Sequence, residues 1–122
     1  MKTVALFFTV SYLSTLAVFA EPPTAEQVLA KAKARAAAEQ KAIFVHFGAS
    51  WCGWCKRLDA FLDAPDIKPV FEKYFIPVKL VVQENEKNKD LENKGADDLL
   101  KKLGGPDGLP FLPSWTPREC SL

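Results

Sequence analysis

The sequence has 122 residues, 48% hydrophobic, 25% charged and 11% aromatic, which is enough for one ordinary globular domain and no more. A normal apolar fraction with no running period excludes collagen-like, disordered and coiled-coil chains. Sixteen Lys and Arg against fifteen Asp and Glu leave a net charge of +1, so there is no electrostatic case for nucleic acid.

The first predicted element is a targeting segment. Met1-Lys2 starts it with a positive charge, and Val4 to Phe19 is apolar except for Thr9, Ser11, Ser14 and Thr15. Val18-Phe19-Ala20 then sets small residues at the two positions that a signal peptidase reads. The run is shorter and richer in hydroxyls than the roughly 20 apolar residues of a membrane span. Residues 1–20 are therefore expected to be a secretory signal peptide, cleaved after Ala20. The mature chain would face an oxidising compartment, where paired cysteines persist.

Glu21-Pro22-Pro23 predicts an extended leader, because proline disfavours helix in the residue before it. Thr24-Ala25-Glu26-Gln27 has the form of a capping box, and the Ala-rich stretch to Gln40 has high helix propensity. Val28, Leu29, Ala32 and Ala36 give that helix a weak apolar face. Ala42 to Phe47, ending at Gly48, is short, apolar and rich in β-branched and aromatic residues, which predicts a buried strand. Lys56 to Leu62 predicts a helix broken at Ala64-Pro65-Asp66, and Ile67 to Phe75 another turn or two. Ile76 to Val82 is a second candidate for a buried strand, with Pro77 near its start, where a strand tolerates proline. Gln83 to Lys89 is expected to be a solvated loop. Asp90 to Leu103 returns to helical spacing, weakened by Gly95, and Gly104 to Gly108 is a dense turn. This alternation of helices and strands points to an α/β layer fold.

The chemistry lies in Trp51-Cys52-Gly53-Trp54-Cys55, directly after the first strand and at the opening of a helix. Thiols two residues apart at a helix start can reach each other and close a small disulfide ring. Free backbone N–H groups at that end favour a thiolate, and Lys56 and Arg57 add positive charge beside it. The thiolate attacks a substrate disulfide, and the second thiol resolves the mixed disulfide. Cys52 is then the exposed nucleophile and Cys55 the more buried resolving thiol. A zinc site would need four ligands, and beyond this pair the soft donors are only Cys120 and His46. Haem attachment would need histidine where Lys56 stands. An inert structural bridge is the serious alternative, but so short a loop restrains the unfolded chain little.

The segment Phe44 to Lys56 resembles the active-site signature of the thioredoxin superfamily, and is most similar to secreted bacterial thioredoxin-like, thiol–disulfide interchange proteins. Val78-Lys79-Leu80 resembles the family's next strand, whose lysine lies near the resolving cysteine. Gly108-Leu109-Pro110-Phe111 resembles its cis-proline loop, so Pro110 is expected to be cis and the Leu109 backbone to pair with substrate. The resemblance implies a thioredoxin-like three-layer fold with a central mixed sheet. It also implies an extracytoplasmic oxidoreductase of reductase or isomerase type, located in the periplasm or secreted. Its partners would be protein thiols or disulfides and an upstream redox donor or acceptor. No cofactor is expected beyond the redox-active Cys52–Cys55 disulfide, nor any metal, nucleic acid or stable membrane insertion after signal cleavage. Trp51, Gly53, Trp54, Leu109 and Pro110 form the expected substrate surface.

Two positions depart from the family pattern. His46 stands where thioredoxins bury an acidic residue that takes a proton from the resolving thiol. It is either a core histidine or a base for Cys55, with Lys79 tuning the charge. Trp54 stands where oxidising relatives often carry histidine, which favours a reductant or isomerase.

Phe111-Leu112 is expected to begin a strand, and Pro113 interrupts it. Residues 113–122 have no helix or strand period, so the domain is placed at 21–112 and the rest is an irregular tail. Measured against the family it resembles, the chain is expected to lack most of the closing hairpin and helix. A truncated or frameshifted coding sequence, or a short variant completed by a partner chain, would account for that. Cys120 is then an incidental tail cysteine or an intermolecular thiol. The competing function is a non-catalytic or unstable thioredoxin-like fragment, at most a polypeptide-binding module.

Overall fold

The computed structural model describes residues 21–105 and 108–113. The signal segment 1–20 and the tail from Ser114, with Cys120, lie outside the described residues. Helix α1 spans Ala25–Glu39 and opens on the capping box: Thr24 Oγ1 accepts the Gln27 N–H at 3.2 Å, and Thr24 N–H donates to Gln27 Oε1 at 3.0 Å. It ends at Gln40 in the left-handed region, φ 53°. Strand β1 (Ala42–Gly48) follows, then helices α2 (Gly53–Leu62) and α3 (Lys68–Tyr74), strand β2 (Phe75–Val81) and helix α4 (Ala96–Lys102). Among the described residues no helix is long and apolar enough to cross a membrane.

The strands run parallel, from Ala42 opposite Phe75 to Gly48 opposite Val81, which obliges the chain to cross over through α2 and α3. Side chains alternate between sheet faces. Val45, Phe47, Ile76, Val78 and Leu80 form the core with Ala25 and Ala32 of α1 and Ala96 and Leu100 of α4. Phe44, His46 and Gly48 face the other way. There Phe44 meets Phe71 of α3 edge-on at 5.1 Å, and Gly48 lies under Cys55 of α2. Helices therefore cover both faces, in three layers.

Phe111 adds an antiparallel bridge on the free edge of β1, exchanging both backbone hydrogen bonds with Phe47 at 3.0 and 3.2 Å. It extends no further as a strand. In that register the next hydrogen-bonded partner of β1 is residue 113, and Pro113 has no N–H to give Val45.

Three expectations need correction. Strand β2 is not buried on both faces: Ile76, Val78 and Leu80 are buried, while Pro77 and Lys79 are exposed. The segment Gln83–Lys89 is not simply a solvated loop, because Glu84 is buried and a 3₁₀ turn runs over Glu86–Leu91. The helix expected over Asp90–Leu103 forms only from Ala96. Before it, Asn93 is held by other partners: its Oδ1 accepts the Val81 N–H and its Nδ2 donates to Pro23 O, both at 2.8 Å. Lys94 O accepts the Ala25 N–H at 2.9 Å. Gly95, at φ 83°, then turns the chain in a conformation that glycine adopts without strain.

Candidate functional site

Gly48 ends β1 under α2. A Cβ on it would stand 3.3 Å from both Cβ and Sγ of Cys55, so glycine lets the sulfur sit there without a shift. Cys52 is the N-cap of α2, and its Sγ accepts the Cys55 N–H at 3.0 Å. One otherwise unsatisfied helix N–H is thus aimed at the first sulfur, which is the arrangement that favours a thiolate there. Cys52 and Cys55 are joined as a disulfide with their Cα atoms 5.2 Å apart.

The expectation of an exposed Cys52 is corrected: Cys52 is 4% exposed and Cys55 0%. The order is as expected, but Leu109 packs against the cluster that Ala49, Cys52 and Cys55 form. The Leu109–Pro110 bond is cis. On the outside of the motif Trp51 is 52% and Trp54 67% exposed, beside the exposed Gly53. The Trp51 indole N–H donates to Gln83 O at 2.7 Å, and the Arg57 guanidinium lies over the Trp54 ring at 4.6 Å.

His46 is 3% exposed, and its Nε2 lies 3.0 Å from Asp59 Oδ1. The other oxygen of Asp59 pairs with Lys79 Nζ. The three residues form one chain, histidine to carboxylate to ammonium, in the α2-facing layer. Lys79 therefore reaches the region of the cysteines, yet its partner is Asp59. Asp59 is a site residue that sequence reasoning missed. The signal was its spacing, since four residues after Cys55 puts it on the same helix face.

Burial pushes the His46 imidazole below its ordinary value, against the carboxylate of Asp59, which pulls it up, and with the charge of Lys79, which pushes it down. Burial would raise Asp59, but the hydrogen bond and charge of Lys79, followed by those of His46, outweigh it and hold the carboxyl below its ordinary value. Both shifts make acid destabilising. The unfolded histidine binds its proton near pH 6.5, while the folded one stays neutral to lower pH. The stability that His46 contributes is complete above about pH 6.5 and is lost as pH falls through the folded value. The contribution of Asp59 is lost in the same direction at lower pH. Urea denaturation is expected to give a free energy that drops from pH 7 to pH 5, with a flatter slope in His46→Ala. An unchanged slope would contradict this assignment.

A second missed residue is Glu84. It accepts the Ser50 N–H through one oxygen and the Ser50 hydroxyl at 2.6 Å through the other. Asn88 Nδ2 donates to the same Ser50 Oγ at 2.9 Å. This clamp holds the loop that leads into Cys52. Glu84→Ala would leave the Ser50 N–H without its partner and is expected to cost about 1–3 kcal/mol, read as a lower urea midpoint at unchanged slope.

A family model described as thioredoxin-like matches residues 24–112. No curated protein and no solved structure matches the chain. A thioredoxin-like domain that carries a Cys-x-x-Cys pair suggests thiol–disulfide redox chemistry. The match takes in every element that builds the site, from the cap of α1 to the Phe111 bridge, and the chain belongs to the thioredoxin-like family.

Proposed function

We propose that this chain is an extracytoplasmic thiol–disulfide oxidoreductase that exchanges disulfides with protein substrates, in the reductase or isomerase direction. The observation that carries the reading is the position of Cys52 Sγ at the N-terminus of α2, accepting the Cys55 N–H at 3.0 Å. A sulfur so placed is a better thiolate than a free cysteine, and thiolates do the attacking. Cys52 attacks, Cys55 resolves, His46 serves as base for Cys55, and Lys79 sets the local charge. Trp51, Gly53, Trp54, Leu109 and Pro110 form the surface against which a polypeptide docks, and two exposed indoles suit an apolar client. The signal-like residues 1–20 carry the reading of a secreted or periplasmic protein, with an upstream donor or acceptor to reset the pair.

The test is turnover of insulin disulfides by the protein with dithiothreitol as electron donor, measured above the rate of dithiothreitol alone and beside the protein's circular dichroism. Folded protein that reduces insulin catalytically is the expected result. Folded protein with no turnover overturns the reading and leaves the second one, a non-catalytic module holding polypeptides on Trp51 and Trp54.

A further inference from the structure

His46 Nε2 faces a carboxylate, and an ionised carboxylate only accepts. A neutral imidazole in that contact must carry its proton on Nε2. Its Nδ1 is then a bare lone pair, and Nδ1 is buried with no hydrogen-bond partner. His46 shares a strand face with Gly48, two residues on, and the Cβ position of Gly48 lies 3.3 Å from Cys55 Sγ. One strand repeat, about 6–7 Å, separates the two positions, a span that two hydrogen bonds through one water cross. Asp59 stands one helical turn beyond Cys55, so the helix brings thiol and carboxylate to the same side of the imidazole's layer. The imidazole, Asp59 and Lys79 line a cavity of about 340 Å³ with Asp63, Phe71 and Glu72. Asp63, Glu72 and Lys79 are exposed, so the cavity opens to solvent.

We propose that Asp59 is a positioning residue for the resolving step: it holds His46 as the Nε2–H tautomer, so that Nδ1 is the atom that takes the proton of Cys55. This rests on the reading of Cys52 and Cys55 as an exchanging pair. In the mixed disulfide, the Cys55 thiol gives its proton to Nδ1, through one water. The thiolate then forms a bond to Cys52 Sγ, and the bond between Cys52 Sγ and the substrate sulfur breaks. The electron pair leaves with the substrate sulfur. The imidazolium, stabilised by Asp59, returns its proton to that leaving thiolate by way of the cavity that opens to solvent. The substrate disulfide gains two electrons and the Cys52–Cys55 pair loses two. The charged groups shown around His46 are Asp59 from α2 and Lys79 from β2, with Asp63 at the end of α2 and Glu72 of α3 across the cavity, and Cys55 stands one strand repeat away by the Gly48 position. Lys79 holds Asp59 ionised and aimed.

The test is a single turnover. Protein carrying a preformed mixed disulfide between Cys52 and a chromogenic aromatic thiol is prepared at low pH, and release of the thiol is timed from pH 5 to 9. Asp59→Asn offers an amide that can donate to Nε2 and reverse the tautomer. It is expected to slow release at pH 7 by about 100-fold and to remove the inflection that wild type shows below neutrality. His46→Ala is expected to do the same, and the double variant to be no slower than either single one. Asp59→Asn within twofold of wild type, with its inflection intact, overturns the proposal. Release in wild type shows that the pair exchanges, so this failure is distinct from failure of the exchange reading. A second measurement needs no variant: His46 is the single histidine of the sequence, so its ring nitrogens can be assigned in the reduced protein by NMR. A protonated Nε2 and bare Nδ1 at pH 7 are expected, and the reverse tautomer overturns the proposal.

Discussion

Cys52→Ser is expected to lower disulfide exchange by about 1000-fold or more, because it removes the sulfur at the N-terminus of α2 that the proposed mechanism uses to attack. A serine hydroxyl at the N-cap would keep the hydrogen bond to the Cys55 N–H, since serine is a favoured cap, so the helix start survives. What is lost is the thiolate. Cys55→Ser is expected to fail differently. Cys52 still attacks, but no second thiol is there to resolve the product, so the variant accumulates as a mixed disulfide with its substrate. Non-reducing gels and mass mapping of the motif separate the two outcomes: no adduct at the motif with Cys52→Ser, a stable adduct on Cys52 with Cys55→Ser. Turnover that survives Cys52→Ser would refute the assignment of the nucleophile. Adducts formed through the Cys55 sulfur would reverse the two roles, against the burial order of 4% and 0%.

Phe47→Ala is expected to be the most damaging core substitution, at about 3–5 kcal/mol. Phe47 is fully buried in the face of β1 that meets α1 and α4, and its ring lies 6.0 Å from that of Phe111. Truncation loses the transfer energy of the ring and leaves a cavity among Val45, Leu80 and Leu100 that a parallel strand pair cannot collapse around. Domains of this size are stable by only about 5–15 kcal/mol, so such a loss is a large share of the whole. Urea denaturation by circular dichroism and tryptophan fluorescence gives the figure, and a loss below about 1.5 kcal/mol would contradict the packing. The same residue carries both hydrogen bonds to Phe111 in the loop after Pro110, but these are backbone bonds and persist in the variant. Core and site can therefore be weakened separately. Phe47→Ala should lower stability with little change in the chemistry of folded protein, and Cys55→Ser should do the opposite.

Local signals carried much of this fold. Thr24 and Gln27 mark the start of α1 because a capping box is closed within four residues. The run Ala42–Gly48 marks β1 because seven consecutive apolar or small residues, apart from His46, suit a strand covered on both sides. Where a local signal competed with a tertiary one, the tertiary one prevailed. The helical spacing of Asp90–Leu103 yields at Asn93, whose side chain pairs with the edge of β2 and with Pro23, seventy residues earlier. The strand signal at Phe111 stops after one bridge because the register set by Phe47 brings Pro113 to a position that needs a donor.

The sequence by itself determined the cysteine pair that suggests thiol–disulfide redox. A Cys-x-x-Cys pair at a helix start places two sulfurs and aims one helix N–H at the first, all within four residues of chain. Only the tertiary structure decided what surrounds them. Asp59 beside His46, Glu84 beside Ser50 and Leu109 against the cysteine cluster are contacts spanning 13, 34 and more than 50 residues. No periodicity or spacing records such distances, because they follow from the parallel pairing of β1 with β2 and from the packing of α2 across it. That packing settles which carboxylate meets the buried imidazole, and so which ring nitrogen of His46 is left without a partner.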